Sequence, residues 1–124
     1  MNYKLIAYAE DFVSFLIEKI GKDFDKVNQV ILFGSTSRGE ATKQSDIDLF
    51  IEVPEIYEEQ IKKIRDQFYT SSKYKKYWKL LGIENEINLS IGALENWGDL
   101  QSSIIANGII LYGKYKGVPK TKQN

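Results

Sequence analysis

Ile31-Leu32-Phe33-Gly34-Ser35-Thr36-Ser37-Arg38-Gly39 is followed, after five intervening residues, by Ser45-Asp46-Ile47-Asp48-Leu49-Phe50-Ile51. An apolar run enters a Gly-Ser turn, a polar loop follows, and a second apolar run opens with two carboxylates one residue apart. Side chains alternate between the faces of a strand, so Asp46 and Asp48 are expected on one face while Ile47, Leu49 and Ile51 enter a core. Two carboxylates about 7 Å apart along one strand face can share a divalent cation. Glycine at position 34 lets backbone N–H groups approach a phosphate closely and reaches dihedral angles that other residues avoid. A metal site on one side and a phosphate cradle on the other point to nucleotide chemistry.

The 124 residues suit one domain, placed at residues 1–116 with a mobile polar tail over 117–124. The chain has no cysteine and no histidine, which excludes disulfides, thiol nucleophiles, imidazole bases and the usual zinc sites. Carboxylates are left as the strong metal ligands. No apolar run approaches a membrane span and the N-terminal residues lack a signal-peptide core, so a cytoplasmic protein without a membrane partner is expected. Formal charge balances, but residues 1–60 carry six Lys/Arg against twelve Asp/Glu and residues 61–124 carry eleven against five. Such asymmetry fits a polar molecule with a basic flank.

Outward from the central stretch, Leu5, Tyr8, Ala9, Phe12, Leu16 and Ile20 recur at helical spacing up to Gly21. Residues 27–33 read as a strand buried on both faces, residues 35–39 as the first turn of a short helix, and residues 46–53 as a second strand stopped by Pro54. The next helix reaches about Tyr69 with Ile56, Ile61, Ile64 and Phe68 as its buried stripe. Residues 70–81 mix Lys73, Lys75, Lys76 and Lys79 with Tyr74, Tyr77 and Trp78. That interleaving suits either single-stranded nucleic acid or an amphipathic element with its aromatics turned inward. Ile87, Leu89 and Ile91 mark a third strand with Glu86, Asn88 and Ser90 on its polar face. A helix over 94–106 and a short extended segment over 109–112 follow. The alternation of helix and strand gives a small α/β (α+β) domain.

Gly34-Ser35, ten intervening residues and Asp46-x-Asp48 with apolar neighbours together resemble the signature of the nucleotidyltransferase superfamily that includes DNA polymerase beta. Arg38-Gly39 matches the same pattern, and the short chain is most similar to the minimal nucleotidyltransferases. The likeness spans residues 27–112 and is specific over 34–50. It implies a sheet of about three strands, mixed in direction, with helices packed on it. It also implies transfer of a nucleotidyl group from a nucleoside triphosphate with release of pyrophosphate. In that reading Gly34, Ser35 and Arg38 hold the triphosphate and Asp46 and Asp48 bind Mg²⁺. The family's third carboxylate falls near Glu86 and Asn88: Asn88 occupies the expected position, while Glu86, one step away on the same face, alone of the two can act as a base and is expected as the functional third acid beside the catalytic Asp46 and Asp48. The resemblance further implies AMP transfer from ATP to a protein, as in antitoxins that modify HEPN ribonuclease toxins. A catalytically weak binding module of the same fold and an enzyme acting on RNA ends are the alternatives, and a homo-oligomer is compatible with either.

Overall fold

Strands β1 (Gln29–Phe33) and β2 (Ile47–Glu52) form over the two apolar runs, because residues that are apolar on both faces are stable only when both faces are covered. They pair antiparallel, with Phe33 opposite Asp48 at one end and Gln29 opposite Glu52 at the other. The computed structural model describes residues 2–113, and the proposed boundary at 116 and tail from 117 lie outside them. Around these strands the order is α1 (Tyr3–Ile20), β1, β2, α2 (Glu58–Tyr69), β3 (Ile87–Gly92), α3 (Gly98–Asn107) and β4 (Ile109–Gly113). The sheet runs β3-β2-β1-β4. Its β2–β3 pair is parallel and its β1–β2 and β1–β4 pairs are antiparallel.

The sheet therefore has four strands rather than three. The extended run at residues 109–112 does not end the fold loosely but pairs with the open edge of β1, where a bulge lies between Val30 and Ile31. Hydrogen bonding explains this, since a central strand as buried as β1 needs a partner for its backbone groups on each side.

Each face has its own core. Val30, Leu32, Leu49, Ile51 and Leu89 pack with residues of α1 and α2, among them Phe12, Leu16, Ile61 and Phe68. Ile31, Phe33 and Phe50 meet Ile104 of α3 on the opposite side. Asp48 is two residues from Phe50, so strand alternation puts it on the α3 side, the thinner of the two layers.

Two helical expectations shift. Ile56 is not part of a buried stripe; it is 85% exposed, because residues 55–57 form a tight 3₁₀ turn before α2 begins. The 3₁₀ geometry rotates Ile56 away from the face that Ile61, Ile64 and Phe68 share. The basic aromatic stretch contains a one-turn π-helix, Tyr74–Trp78, with Tyr74 and Trp78 buried. Trp78 Nε1 donates to Asp11 Oδ2 at 2.6 Å, and Lys73 pairs with the same carboxylate at 3.3 Å. The inward reading of these aromatics holds for Tyr74 and Trp78, which are unavailable for stacking on bases.

Tyr8 is fully buried and donates its hydroxyl to the Asn85 carbonyl oxygen at 2.8 Å. Burial pushes this phenol far above its ordinary value, and burial also raises Tyr69 and Tyr74. The folded protein keeps protons that the unfolded chain surrenders, so this stabilisation is whole below the ordinary phenol range and is lost as pH rises beyond it. The urea midpoint is expected to fall above about pH 10, and a midpoint level to about pH 12 would contradict the buried phenols.

Candidate active site

The loop between β1 and β2 begins with one tight turn. Arg38 N–H donates to the Gly34 carbonyl, Gly39 N–H to Thr36 and Glu40 N–H to Ser35. With Gly39 at φ +77°, these last two bonds make the Schellman closure that stops a helix after its first turn. The short helix expected over residues 35–39 is thus a single capped turn. Ser37 Oγ donates back to the Gly34 carbonyl at 2.9 Å.

Gly34 has φ +75°, and a Cβ there would collide with the Asp48 carboxylate, first of all with Oδ2. The phosphate-cradle candidate and the metal-ligand candidate therefore abut directly. Asp48 is half-buried and its Oδ1 accepts from Asn88 Nδ2 at 3.1 Å, its partner in the parallel register. Asp46 is exposed and lies one residue before β2, so the ladder does not fix its direction. Arg38 is exposed and bridges to Glu40 at 3.1 Å, leaving it near the turn but turned to a carboxylate of the same loop. Thr36 is buried, and its Oγ1 has no hydrogen-bond partner among the described residues.

The side chain bonded to Asp48 is that of Asn88. Glu86 precedes β3, where its carbonyl accepts the Ile47 N–H at 2.7 Å, and it lines a hollow with Tyr69, Tyr74 and Glu84. Tyr69 and Arg65 occupy the same outer edge, the tyrosine hydroxyl accepting from Ile87 N–H and Arg65 donating to the Ile87 carbonyl. Exposure alternates through this entry, Glu86 and Asn88 being exposed between buried Asn85, Ile87 and Leu89, although β3 itself begins at Ile87. We expect Glu86→Gln to leave transfer within about threefold of the natural protein, against the roughly hundredfold loss that removing a general base entails. A hundredfold loss in a single-turnover assay would restore Glu86 as the third acid.

Among the described residues no three acidic side chains cluster to hold a metal ion. Mg²⁺ does not require that, because it commonly takes one or two carboxylates and completes its octahedron with substrate phosphates and water. Asp48, a hard oxygen donor against the Gly34 turn, fits that role, and Asp46, exposed one residue before β2, would supply the second carboxylate. A different hollow, of about 540 Å³, is lined by Glu52, Glu55 and Glu95 at the far end of β2. Three carboxylates there would repel a triphosphate, so its size does not make it the nucleotide site.

The sequence profile described as "Nucleotidyltransferase domain" matches residues 15–111. The chain belongs to this nucleotidyltransferase family. The match takes in Gly34, Ser35, Asp46, Asp48 and all of β3. The chain is also similar to a Methanocaldococcus jannaschii protein named "Putative protein adenylyltransferase MJ1379", with 53% identity over 38 residues, 31% of this chain and 38% of that relative. The similarity thus spans well under half of the relative's length. Among solved structures the chain resembles a crystal structure of a toxin-antitoxin with AMP-PNP, at TM-score 0.49 and 18% identity over 85% of this chain and 73% of that one. A likeness at that level assigns neither activity nor partner. No helix among the described residues of this nucleotidyltransferase is long and apolar enough to cross a membrane.

Proposed function

We propose that this nucleotidyltransferase transfers AMP from ATP to a hydroxyl of a protein acceptor, using the Asp48–Gly34 corner as its centre. The observation that carries the reading is the abutment of Gly34 and the Asp48 carboxylate, which supports phosphate and metal meeting at one point. Asp46 and Asp48 would hold Mg²⁺. When bound, that ion neutralises phosphate charge and orients the triphosphate for in-line displacement. The turn opened by Gly34 and Ser35 offers backbone N–H groups and the Ser35 hydroxyl to the phosphate oxygens, and Arg38 can leave Glu40 to add a guanidinium. The acceptor oxygen bonds to the α-phosphorus, the bond to pyrophosphate breaks, and the acceptor's proton leaves to water. Asn88, next to Asp48, is an amide and does not take that proton.

A protein acceptor is favoured over RNA on two grounds. The segment similar to the named protein adenylyltransferase supports it. Two of the three aromatics that would have stacked on bases, Tyr74 and Trp78, are also spent on the core. We therefore expect no RNA affinity that falls tenfold or more between low and moderate salt, the mark of several phosphate contacts. Such a salt-dependent affinity in filter binding would favour transfer to RNA ends. The family resemblance makes a HEPN-type toxin the first partner to try, in the cytoplasm.

A contact-only antitoxin or binding module is the second reading, favoured by the amide of Asn88 where the family carries an acid. Incubation with α-labelled ATP, Mg²⁺ and the candidate partner separates the two. Label on the partner supports transfer, whereas a stable unlabelled complex supports binding alone.

A further inference from the structure

Asp46 is the one member of the carboxylate pair outside the sheet, so something other than the ladder must hold it in place. The backbone on both sides of it is tied to a single dipeptide. Asn85 Nδ2 donates to the Ser45 carbonyl at 2.7 Å and to the Thr42 carbonyl at 3.0 Å. The next residue, Glu86, accepts the Ile47 N–H through its carbonyl at 2.7 Å. Asp46 is thereby clamped between two anchors that come from the entry to β3. The Asn85 side chain is only 5% exposed, so its two bonds do not compete with water as surface bonds would.

Asn85 is itself held from below. Its carbonyl accepts the Tyr8 hydroxyl of α1 at 2.8 Å, and Tyr8 is packed among Phe68, Tyr74 and Trp78. Burial keeps the Tyr8 hydroxyl protonated and able to donate throughout the ordinary pH range. The loop's other end is gripped by Asn2, whose side chain donates to and accepts from the backbone of Ala41. Within the loop, Thr42 and Ser45 bond to each other's backbone and side chains. The return segment over residues 41–45 is thus a pinned piece of structure rather than a free connection.

We infer that Asn85 is a positioning residue for the metal-binding pair, its buried amide fixing the Ser45 carbonyl and hence the place of Asp46 beside Asp48. The inference rests on the proposed role of the two aspartates. An amide suits the position because both groups it faces are carbonyl acceptors and both of its N–H bonds are used. Removing it leaves two carbonyls without their donor and frees the segment that carries Asp46, while the Gly34 turn keeps all of its own bonds.

The test uses Mn²⁺ alone, followed by paramagnetic resonance, together with steady-state transfer. Asn85→Ala is expected to weaken Mn²⁺ about tenfold, within the range for groups that orient metal ligands. It should lower the transfer rate at limiting Mn²⁺ by a similar factor, leave KM for ATP unchanged, and recover most of the rate when Mn²⁺ is raised. A purely structural role would lower the unfolding temperature and leave Mn²⁺ affinity per folded molecule untouched, and that result would overturn the inference. Should Asn85→Ala fail to fold, Tyr8→Phe decides: it keeps the ring packing, frees the Asn85 carbonyl, and is expected to weaken Mn²⁺ severalfold, with unchanged affinity counting against the clamp. Asp48→Asn serves as the reference. If it binds Mn²⁺ like the natural protein, the aspartate reading fails, and the clamp with it. If it loses Mn²⁺ while Asn85→Ala does not, only the clamp fails.

Discussion

Asp48→Asn is expected to abolish nucleotidyl transfer, by roughly a thousandfold or more if the bound metal supplies several kcal/mol of charge stabilisation in the transition state. The fold should survive, because the substitution preserves volume at a half-buried site and removes nothing from either core. Asp48 pairs with Phe33 on one side and Asn88 on the other through its backbone, and those ladder bonds do not depend on the carboxylate. The Asn88 amide that now donates to Oδ1 can donate equally to an asparagine carbonyl oxygen. Single-turnover transfer and a urea melt, run on the same preparation, read the two halves of this expectation. Full activity in a folded Asp48→Asn protein would remove Asp48 from the metal site.

Gly34→Ala should be nearly as damaging by a different route. A residue with a Cβ at φ +75° costs about 1–2 kcal/mol in backbone strain, and here the added carbon also strikes the Asp48 carboxylate. That carboxylate must turn away from the corner it shares with the phosphate cradle. A loss of transfer of at least about a hundredfold is expected, as for misplacement of a reacting group by about 1 Å. Gly82 supplies the control, since it has φ +79° with nothing near where its Cβ would be. Gly82→Ala should show a similar strain in a urea melt and keep its activity. Equal activity of the two variants would mean that the glycine at 34 serves only the turn.

The sequence made β1 and β2 legible because their apolar runs are continuous and bounded by Gly34 and Pro54. The pair Asp46-x-Asp48 stood out for the same reason, as charges set at the mouth of a buried strand. What alternation could not tell was where a ladder begins. Counting in twos puts Glu86 with Asn88, and both are exposed, yet the strand starts at Ile87 and it is Asn88 that bonds to Asp48. The fourth strand was visible as an apolar segment but its partner was not, because pairing with β1 is a contact across some eighty residues of chain. Asn85 gave no signal at all. A lone asparagine between Glu84 and Glu86 reads as an ordinary loop residue, and only its burial and its bonds to Thr42 and Ser45 distinguish it.

The basic aromatic stretch shows the opposite case, in which two readings were legible and geometry chose between them. Tyr74 and Trp78 are four residues apart, and in the π-helical turn both reach the α1 side, where Asp11 accepts the indole N–H. Tyr77 stays half-exposed beside Lys73, at 5.5 Å from the ammonium to its ring. A single exposed ring makes a poor stacking platform for a strand of bases.

The most direct measurement is anomalous diffraction from crystals of this protein grown with Mn²⁺ and a non-hydrolysable ATP analogue. The account predicts an Mn²⁺ peak bridging Asp46 and Asp48, with phosphate oxygens against the backbone of Gly34 and Ser35. A metal and triphosphate bound elsewhere, whether at the Glu52, Glu55 and Glu95 hollow or beside Glu86, with the Asp48–Gly34 corner filled only by water, would contradict it.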